Sequence, residues 1–312
     1  MLYFIINEKS RSGRGKQVWS ELREYLAKTG VVYEAKVTKY EGHARTIARE
    51  FCGRKDDDIC LVAVGGDGTA NEVLNGITDF ERVRFGTIPT GSGNDLARGL
   101  GLSKSPQENL LRILKAAKKS REETESMDLG QVRWKGGKRP RIFVISAGVG
   151  LDALVCKKAL KSKLKDFLNK LRLGKLTYLC LTVQSLFSME TTDAAVWFDG
   201  KSKIPRSRVI FSAAMNFAAE GGGVRMAPGA NPADGKLSVC QAFGIPKWRT
   251  FFCLPLLVAA KHTRLRGFEV TDCTDCKIRL ERPMVLHADG EYCGDVTEMQ
   301  FTCLPGKLKV LK

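Results

Sequence analysis

Three glycines surround an acid in the segment AVGGDGTANEV, residues 63–73, directly after an apolar run. Glycines at such a turn let a ligand contact backbone N–H groups, which is how many loops bind phosphate. Asp67 at the centre would repel a phosphate laid directly on it. The acid is explained if a divalent cation lies between them, because Mg²⁺ takes carboxylate and phosphate oxygens together. The segment therefore indicates phosphoryl transfer. The alternative is a tight turn with a capping Asp.

A second glycine-rich segment, PTGSGND at residues 89–95, follows another apolar run. Neither segment is one of the common nucleotide motifs. The chain contains no GxxxxGK[ST], and the GxGxxG spacing is absent after the first and third predicted strands. The pattern thus argues against a P-loop and against a dinucleotide fold that transfers hydride.

The elements that position these loops alternate strand and helix over roughly the first 125 residues. Predicted strands cover residues 2–6, 31–37, 59–64 and 85–88, with helical spacing between them. The alternation predicts a parallel sheet, which binds ligands beyond the carboxyl ends of its strands. Candidate binding residues at the four strand ends are Asn7, Ser10, Ser12 and Gly13; Thr38; Gly65, Gly66, Asp67, Gly68, Thr69 and Asn71; and Thr90, Gly91, Ser92, Asn94 and Asp95. We expect the helix after the third strand to begin near Thr69 or Ala70.

The pattern changes beyond a charged run that ends near Met127. Short apolar segments separated by Gly, Asp and Pro turns predict an antiparallel β-sandwich or barrel, interrupted by one helical segment over about residues 151–187. We therefore predict an α/β domain over residues 1–127 and a β-sandwich domain over residues 128–312. Whether the final strand, at residues 307–311, returns to the first domain stays open.

The composition restricts the partners. The 312 residues carry a net charge of +17, which favours nucleic acid, an anionic membrane surface or phosphorylated small molecules. Ten scattered cysteines are typical of a reducing compartment. The first residues resemble no signal peptide, and the longest apolar stretch, residues 251–260, is about half a membrane span. We expect a cytoplasmic protein.

An acid pair in the second half could supply a base. The segment HADGEYCGD, residues 287–295, places Asp289 and Glu291 two positions apart, and on an extended strand both would point to the same side. Transfer to an alcohol needs a base near the hydroxyl proton. The alternative is a solvated acidic turn. His287 is more simply a packed or surface histidine, and we assign it no role.

A basic segment could dock on a membrane. Residues 157–175 contain eight basic residues and one acid, with leucines and a phenylalanine at helical spacing. A basic amphipathic helix suits an anionic membrane surface. We expect Lys161, Lys165 and Lys175 to face the membrane. The alternative is a helix packed on the core with a solvated basic face.

Several motifs together resemble the diacylglycerol kinase catalytic domain family, which includes bacterial soluble lipid kinases and sphingosine-kinase-like enzymes. They are GGDGTANEV (65–73), GTIPTGSGNDLARGLGL (86–102), DLG (128–130), AGVGLDA (147–153), APGANPADGKL (227–237) and ADGE (288–291). GGDGT also occurs in NAD kinases and phosphofructokinases, whereas PTGSGNDLAR is highly specific. The resemblance implies an ATP-binding α/β domain, a β-sandwich domain and an active site between them.

The resemblance also implies roles for particular residues. The nucleotide would bind residues 7–13, Thr38, residues 65–71 and Thr90, although the first loop lacks the family's proline and differs in spacing. Asp67 and Asp128 resemble members of an acid–water–Mg²⁺ network. Glu291 would be the catalytic base, with Asp289 beside it. A second Mg²⁺ is implied at Asn231, Asp234 and the backbone carbonyl of Lys236, unless residues 232–235 form only a type I turn. The family further implies a homodimer.

We therefore expect an ATP- and Mg²⁺-dependent kinase of a lipid hydroxyl, with diacylglycerol as the leading acceptor and phosphatidic acid as product. The alternatives are a kinase of another lipid alcohol, such as a sphingoid base or a phosphatidylglycerol-like lipid, and a kinase of a soluble acceptor such as NAD. A catalytically silent lipid- or nucleic-acid-binding protein is a third class. Nucleic acid is disfavoured because the basic residues lack interleaved aromatic residues for stacking bases.

Overall fold

The computed structural model describes residues 1–161 and 174–312 of the chain. They form two compact units. The first unit contains Met1–Leu129 together with Pro305–Lys312, and the second contains Gly130–Leu304. The two long strands that begin at Ser126 and Glu291 each contribute residues to both units.

The first unit is built on a parallel sheet. Its elements along the chain are β1 (Leu2–Ile6), α1 (Ser10–Thr29), β2 (Tyr33–Val37), α2 (His43–Cys52), β3 (Ile59–Gly65), α3 (Asp67–Leu74), β4 (Val83–Pro89), α4 (Asp95–Gly99) and α5 (Pro106–Ala117). The strand order is β2-β1-β3-β4, and the last residues of the chain pair in parallel with β4 at Lys309 and Val310. The predicted α/β class is confirmed.

Apolar residues explain this layering. Every residue of β1 and β3 is buried, as expected of central strands that helices cover on both faces. Helix α1 packs Trp19, Leu22 and Leu26 against the sheet, and Leu311 belongs to the same apolar cluster. Residues from both ends of the chain thus share one apolar cluster.

The charged side chain of Arg84 lies in the interior of the first unit. Arg84 on β4 is buried and donates from Nε to the carboxylate of Asp58 at 2.9 Å. Its guanidinium also donates to three carbonyl groups at the end of α5, those of Ala116, Ala117 and Lys119. The Ala116 carbonyl also accepts from the Lys119 N–H at 3.1 Å. Ala117 and Lys119 lie at and beyond the end of the helix, so the guanidinium supplies a donor to two carbonyls that no later helical turn can serve.

The second unit is mainly antiparallel. Its elements are β5 (Ser126–Trp134), β6 (Arg141–Phe143), β7 (Ser146–Gly150), α6 (Leu151–Lys161), α7 (Gly174–Ser188), β8 (Thr192–Phe198), β9 (Ile204–Val209), β10 (Phe211–Met215), β11 (Leu237–Ala242), α8 (Lys247–Val258), a 3₁₀ turn (His262–Arg264), β12 (Phe268–Cys273), β13 (Asp275–Ala288) and β14 (Glu291–Val310). The strands pair in the order β12-β11-β10-β7-β13-β14, and β8 and β9 continue from β13. This is the predicted sandwich-like domain.

Strand β13 changes partners along its length. Residues 276–280 pair with β8, whereas residues 286–288 pair with β7. The register against β14 shifts between these two parts, which is how one bent strand serves two sheets of a sandwich. The sequence pattern predicts several short strands here, but the structure joins them into β13 and β14. The chain bends at the register shifts within these paired strands and not at turns between separate strands.

Candidate active site

Side chains from three strand ends of the first unit are hydrogen-bonded to one another. Asn7, after β1, donates from Nδ2 to the Thr69 hydroxyl at 3.1 Å. Ser10, at the start of α1, lies 2.6 Å from the Thr90 hydroxyl, Oγ to Oγ1, and Thr90 follows β4. The backbone of Thr38 is tied to the same edge, because its N–H donates to the Ile6 carbonyl at 2.8 Å. The structure thus brings the four strand ends together, as parallel pairing requires.

The two glycine loops touch each other through their backbones. The Thr90 N–H donates to the Gly65 carbonyl at 2.8 Å. A Cβ atom added to Gly91 would lie 2.7 Å from the Cα atom of Gly66, and one added to Gly65 would lie 2.5 Å from the Thr69 side chain. Glycine is therefore required here by close approach of the two loops and not by a left-handed conformation.

Asp67 joins these two loops. The helix after β3 begins at Asp67, two residues earlier than we expected, so the acid lies in the first turn of α3. Its Oδ2 accepts from the Asp95 N–H at 3.0 Å, and its Oδ1 accepts from the Leu96 N–H at 3.1 Å. The carboxylate therefore caps the start of α4, which the sequence analysis did not foresee. Carboxylate oxygens are also among the hard ligands that Mg²⁺ takes.

Oxygen atoms suitable for Mg²⁺ gather around Asp67. A Cβ atom added to Gly93 would lie 3.2 Å from Asp67 Oδ2 and 3.8 Å from Asp95 Oδ2, so both carboxylates flank one point. Asn94 donates from Nδ2 to the Gly91 carbonyl at 3.1 Å, and its buried Oδ1 has no partner among the described residues. The two carboxylates supply hard oxygen ligands of the kind that Mg²⁺ takes. Asp95 also pairs with Arg98.

The remaining candidate nucleotide-binding and catalytic residues of the first unit range from exposed to buried. Ser12 and Gly13 are exposed and left-handed, with φ of 56° and 95°, and they interrupt the first turn of α1. Ser92 is exposed, whereas Gly68 is half-buried in α3. Asn71 is buried, and its Oδ1 accepts from Asn75 Nδ2 at 3.2 Å within the same helix. Asp128 is buried on β5 and accepts from the Gly306 N–H at 2.6 Å.

The acid pair of the second unit forms a turn and not an extended strand. Asp289 has a left-handed φ of 49°, so the strand alternation considered above does not apply to it. Its carboxylate accepts from the N–H groups of Val144, Ile145 and Ser146 at 2.8, 2.8 and 3.1 Å. Glu291 is half-buried and is the first residue of β14. Asp289 therefore fixes the turn from which Glu291 projects.

A buried histidine holds the other side of this turn. The His287 Nε2 lies 3.0 Å from Asp152 Oδ2, and the Gly290 N–H donates to His287 Nδ1 at 3.1 Å. Burial opposes a charge on His287, but Asp152, Glu220 and Asp289 favour it and together raise its pKa to about 8. Because Nδ1 accepts a hydrogen bond only in the neutral ring, protonation breaks the bond to Gly290. Sequence reasoning missed this role, since only the fold brings residues 152 and 287 together.

His287, Asp152 and Glu220 also form a possible metal cluster, with one ligand atom of each within 4.8 Å of the others. The Ser146 hydroxyl lies against the Glu220 carboxylate, and Asp152 Oδ1 is buried without a hydrogen-bond partner in the described chain. However, the bond from Gly290 places the proton of the neutral ring on Nε2, which points at Asp152. The ring therefore presents a donor to the cluster instead of a free lone pair.

The other predicted sites lie elsewhere. The Ala233 N–H donates to Asn231 Oδ1 at 3.2 Å, and the Lys236 N–H donates to Asp234 Oδ1 at 3.0 Å, as in ordinary polar turns. A second metal ion there stays a prediction. Lys165 lies outside the described residues, and so do the side chains of Lys161 and Lys175. In the part of the chain that the structure describes, no helix is long and apolar enough to cross a membrane.

Comparisons with known proteins identify both domains. Residues 1–132 match the diacylglycerol kinase catalytic domain, and residues 144–312 match the YegS C-terminal NAD kinase beta sandwich-like domain. The chain is 28% identical to the Bacillus subtilis protein named "Putative lipid kinase YtlR", over 99% of this chain and 98% of that one. It is 27% identical to "Diacylglycerol kinase" of the same organism, over 93% and 89%.

A solved structure has the same fold. The crystal structure of a "putative diacylglycerol kinase" from Bacillus anthracis str. Sterne matches with a TM-score of 0.76 and 22% identity, over 99% of this chain and 96% of that chain. At that identity the likeness shows the fold alone. The two domain matches, however, cover nearly the whole chain in the order that the resemblance implied. The chain belongs to the lipid kinase family that combines a diacylglycerol kinase catalytic domain with a YegS-like C-terminal domain.

Proposed function

We propose that the protein transfers the γ-phosphoryl group of ATP to a lipid hydroxyl in a Mg²⁺-dependent reaction, and that diacylglycerol is the acceptor. The observation that carries the proposal is the joining of the two glycine loops by Asp67, which accepts from Asp95 and Leu96. Two glycine loops, hydroxyl groups and hard anionic oxygens lie together at one edge of a parallel sheet in this arrangement. Phosphoryl transfer needs that combination, because positioning and charge neutralisation supply most of the catalysis.

Each group at the strand ends has a distinct task. The hydroxyl groups of Ser10, Thr69 and Thr90 and the backbone of the glycine loops bind and orient the triphosphate. Asp67, Asp95 and Asn94 would hold Mg²⁺, which when bound neutralises phosphate charge near the carboxylates. Asp128 completes this acidic network in the proposal. ATP should therefore bind more weakly in excess chelator, and equal binding there would contradict the role of the metal.

Glu291 acts as the general base in this proposal. It takes the proton of the lipid hydroxyl as that oxygen bonds to the γ-phosphorus, and the bond to the leaving ADP breaks. Asp289 holds the turn that presents Glu291 through the backbone bonds described above, and the neutral form of His287 adds the bond from Gly290. A well-placed base is worth roughly 10²- to 10⁴-fold in rate.

The test compares two carboxylates on the same strand. Glu291→Gln removes the proposed base, and Glu298→Gln alters a surface acid of β14 that pairs with Lys277. Labelled ATP with diacylglycerol in mixed vesicles measures turnover, and calorimetry measures ATP binding. We expect Glu291→Gln to lose turnover by about 10²-fold or more while ATP binding is unchanged. Equal loss of turnover in both variants, or loss of ATP binding in Glu291→Gln, would refute the assignment.

A panel of acceptors tests the substrate. Diacylglycerol, a sphingoid base, phosphatidylglycerol and NAD are offered separately to the wild-type protein. Phosphate incorporation into diacylglycerol supports the proposal, whereas preference for NAD, independent of vesicles, would replace it with a soluble-acceptor kinase. As part of the same proposal the protein is cytoplasmic, forms a homodimer and contacts anionic membranes peripherally through the basic segment at residues 157–175.

A further inference from the structure

Helix α8 (Lys247–Val258) carries its apolar residues on the outside. Trp248 and Phe252 are 61% and 66% exposed, and Phe251, Leu256 and Val258 are exposed on the same face. The spacing 248, 251, 252 and 256 is that of one helical face. The opposite face packs inward through Thr250 and Leu257, which are buried. Helices of water-soluble domains normally have the reverse arrangement, so this face needs a partner.

The exposed side chains form one patch, which we call the aromatic patch: Phe187, Trp248, Phe251, Phe252, Leu256 and Val258. The rings of Phe251 and Phe252 are 5.3 Å apart, and those of Phe187 and Phe251 are 6.1 Å apart. Lys247 Nζ donates to the Phe187 carbonyl at 3.3 Å and also contacts the Met189 carbonyl, which fastens the end of α7 to the start of α8. The aromatic patch is therefore built from two helices that are bonded to each other.

The segment that carries α8 has charge of one sign. From Phe243 to Phe268 the sequence contains five basic residues and no acid. Four of the basic residues, Arg249, Lys261, Arg264 and Arg266, are exposed. We call these four exposed side chains the basic border. The aromatic patch suits the acyl boundary of an anionic membrane surface, and the basic border suits its headgroups.

We infer that the aromatic patch docks the protein on an anionic lipid surface, inserting Trp248 and Phe252 into the acyl boundary while the basic border contacts the headgroups. A second copy of the chain fits less well. In a two-fold dimer the same patch would meet itself, so the basic borders of two molecules of charge +17 would face each other. The inference gives the proposed lipid kinase a membrane contact on α8, in addition to residues 157–175. It depends on the proposed function only for the reason why the protein would bind a membrane.

Vesicle binding tests the inference without ATP or acceptor. Wild-type protein and Trp248→Ser/Phe252→Ser are sedimented with vesicles of phosphatidylcholine plus phosphatidylglycerol, and with vesicles of phosphatidylcholine alone. The matched control is Val32→Ser/Leu111→Ser, which removes two exposed apolar side chains of the first unit. We expect the patch variant to bind anionic vesicles at least about tenfold more weakly per lost aromatic side chain, and the control to bind like wild type.

Two further measurements accompany vesicle binding: circular dichroism and tryptophan fluorescence. Circular dichroism verifies that both variants are folded, and Trp248→Phe isolates the fluorescence change of Trp248, which should shift to the blue on anionic vesicles. Absent wild-type binding, or equal binding by wild type and the patch variant, would overturn the inference. So would a change from dimer to monomer in the patch variant with vesicle binding intact, because that marks a self-association face. Vesicle binding through the patch without phosphorylation of any lipid would refute the proposed function and leave the docking surface standing.

Discussion

Replacing Asp67 with Asn tests how much this carboxylate stabilises the contact between the two glycine loops. Asp67 accepts from the N–H groups of Asp95 at 3.0 Å and Leu96 at 3.1 Å. An Asn side chain accepts from only one of them, and its own NH₂ group then faces the other. Loss of one charge-assisted hydrogen bond costs about 1.5–3 kcal/mol, and the unpaired amide adds to that cost. We therefore expect the free energy of unfolding to fall by about 3 kcal/mol.

Urea denaturation measures this loss, and Asp95→Asn is the matched control. Asp95 belongs to the same loop but pairs with the exposed Arg98, so its replacement should cost less than that of Asp67. If both variants lose the same small amount, Asp67 does not hold the two loops together, and the geometric reasoning fails. If Asp67→Asn is strongly destabilised, its lost activity must be compared at a temperature where the variant is folded.

Three further changes probe other contacts. Gly91→Ala places a methyl group against the Gly66 backbone and should cost about 1–3 kcal/mol in thermal denaturation. Gly229→Ala, with open space around it, should cost less, and equal losses would contradict the close approach. Arg84→Met removes the guanidinium donor from the Ala117 and Lys119 carbonyls and the partner of Asp58, and should cost about 3 kcal/mol, so a wild-type urea midpoint would refute its role. His287 has a pKa raised from 6.5 to about 8, so its charge stabilises the fold below about pH 6.5 and the benefit disappears as pH rises through 8. Relative to His287→Gln, the wild type should lose up to about 2 kcal/mol over that interval, and parallel pH profiles would contradict this.

Local patterns of the sequence predicted the α/β class and the meeting of the strand ends. Continuous apolar runs mark β1 and β3, and parallel pairing then forces the loops after them to one edge. The capping of α4 by Asp67 could not be predicted, since it depends on the packing distance between two loops. The same holds for the contact of His287 with Asp152, which needs β13 to pair with β7.

The outward face of α8 shows a different limit. The apolar run at residues 251–260 is about half the length of a membrane span, and periodicity alone does not tell which side of a helix faces the core. Burial of Thr250 and Leu257 decides that question in the structure. An extended strand through Asp289 and Glu291 is not what the structure has, for a related reason. The turn at Gly290 depends on the amides of Val144 and Ile145, which are far away in the chain.

The parallel sheet of the first unit has a consequence for synthesis. Its last strand is supplied by residues after Pro305. The outer edge of β4 therefore cannot pair with that strand until all of the second unit has been translated. Until then the β4 backbone is an open edge, able to pair with another nascent chain. Folding in the cell should therefore favour early formation of the second unit, and a fragment that ends near residue 129 should be prone to aggregation.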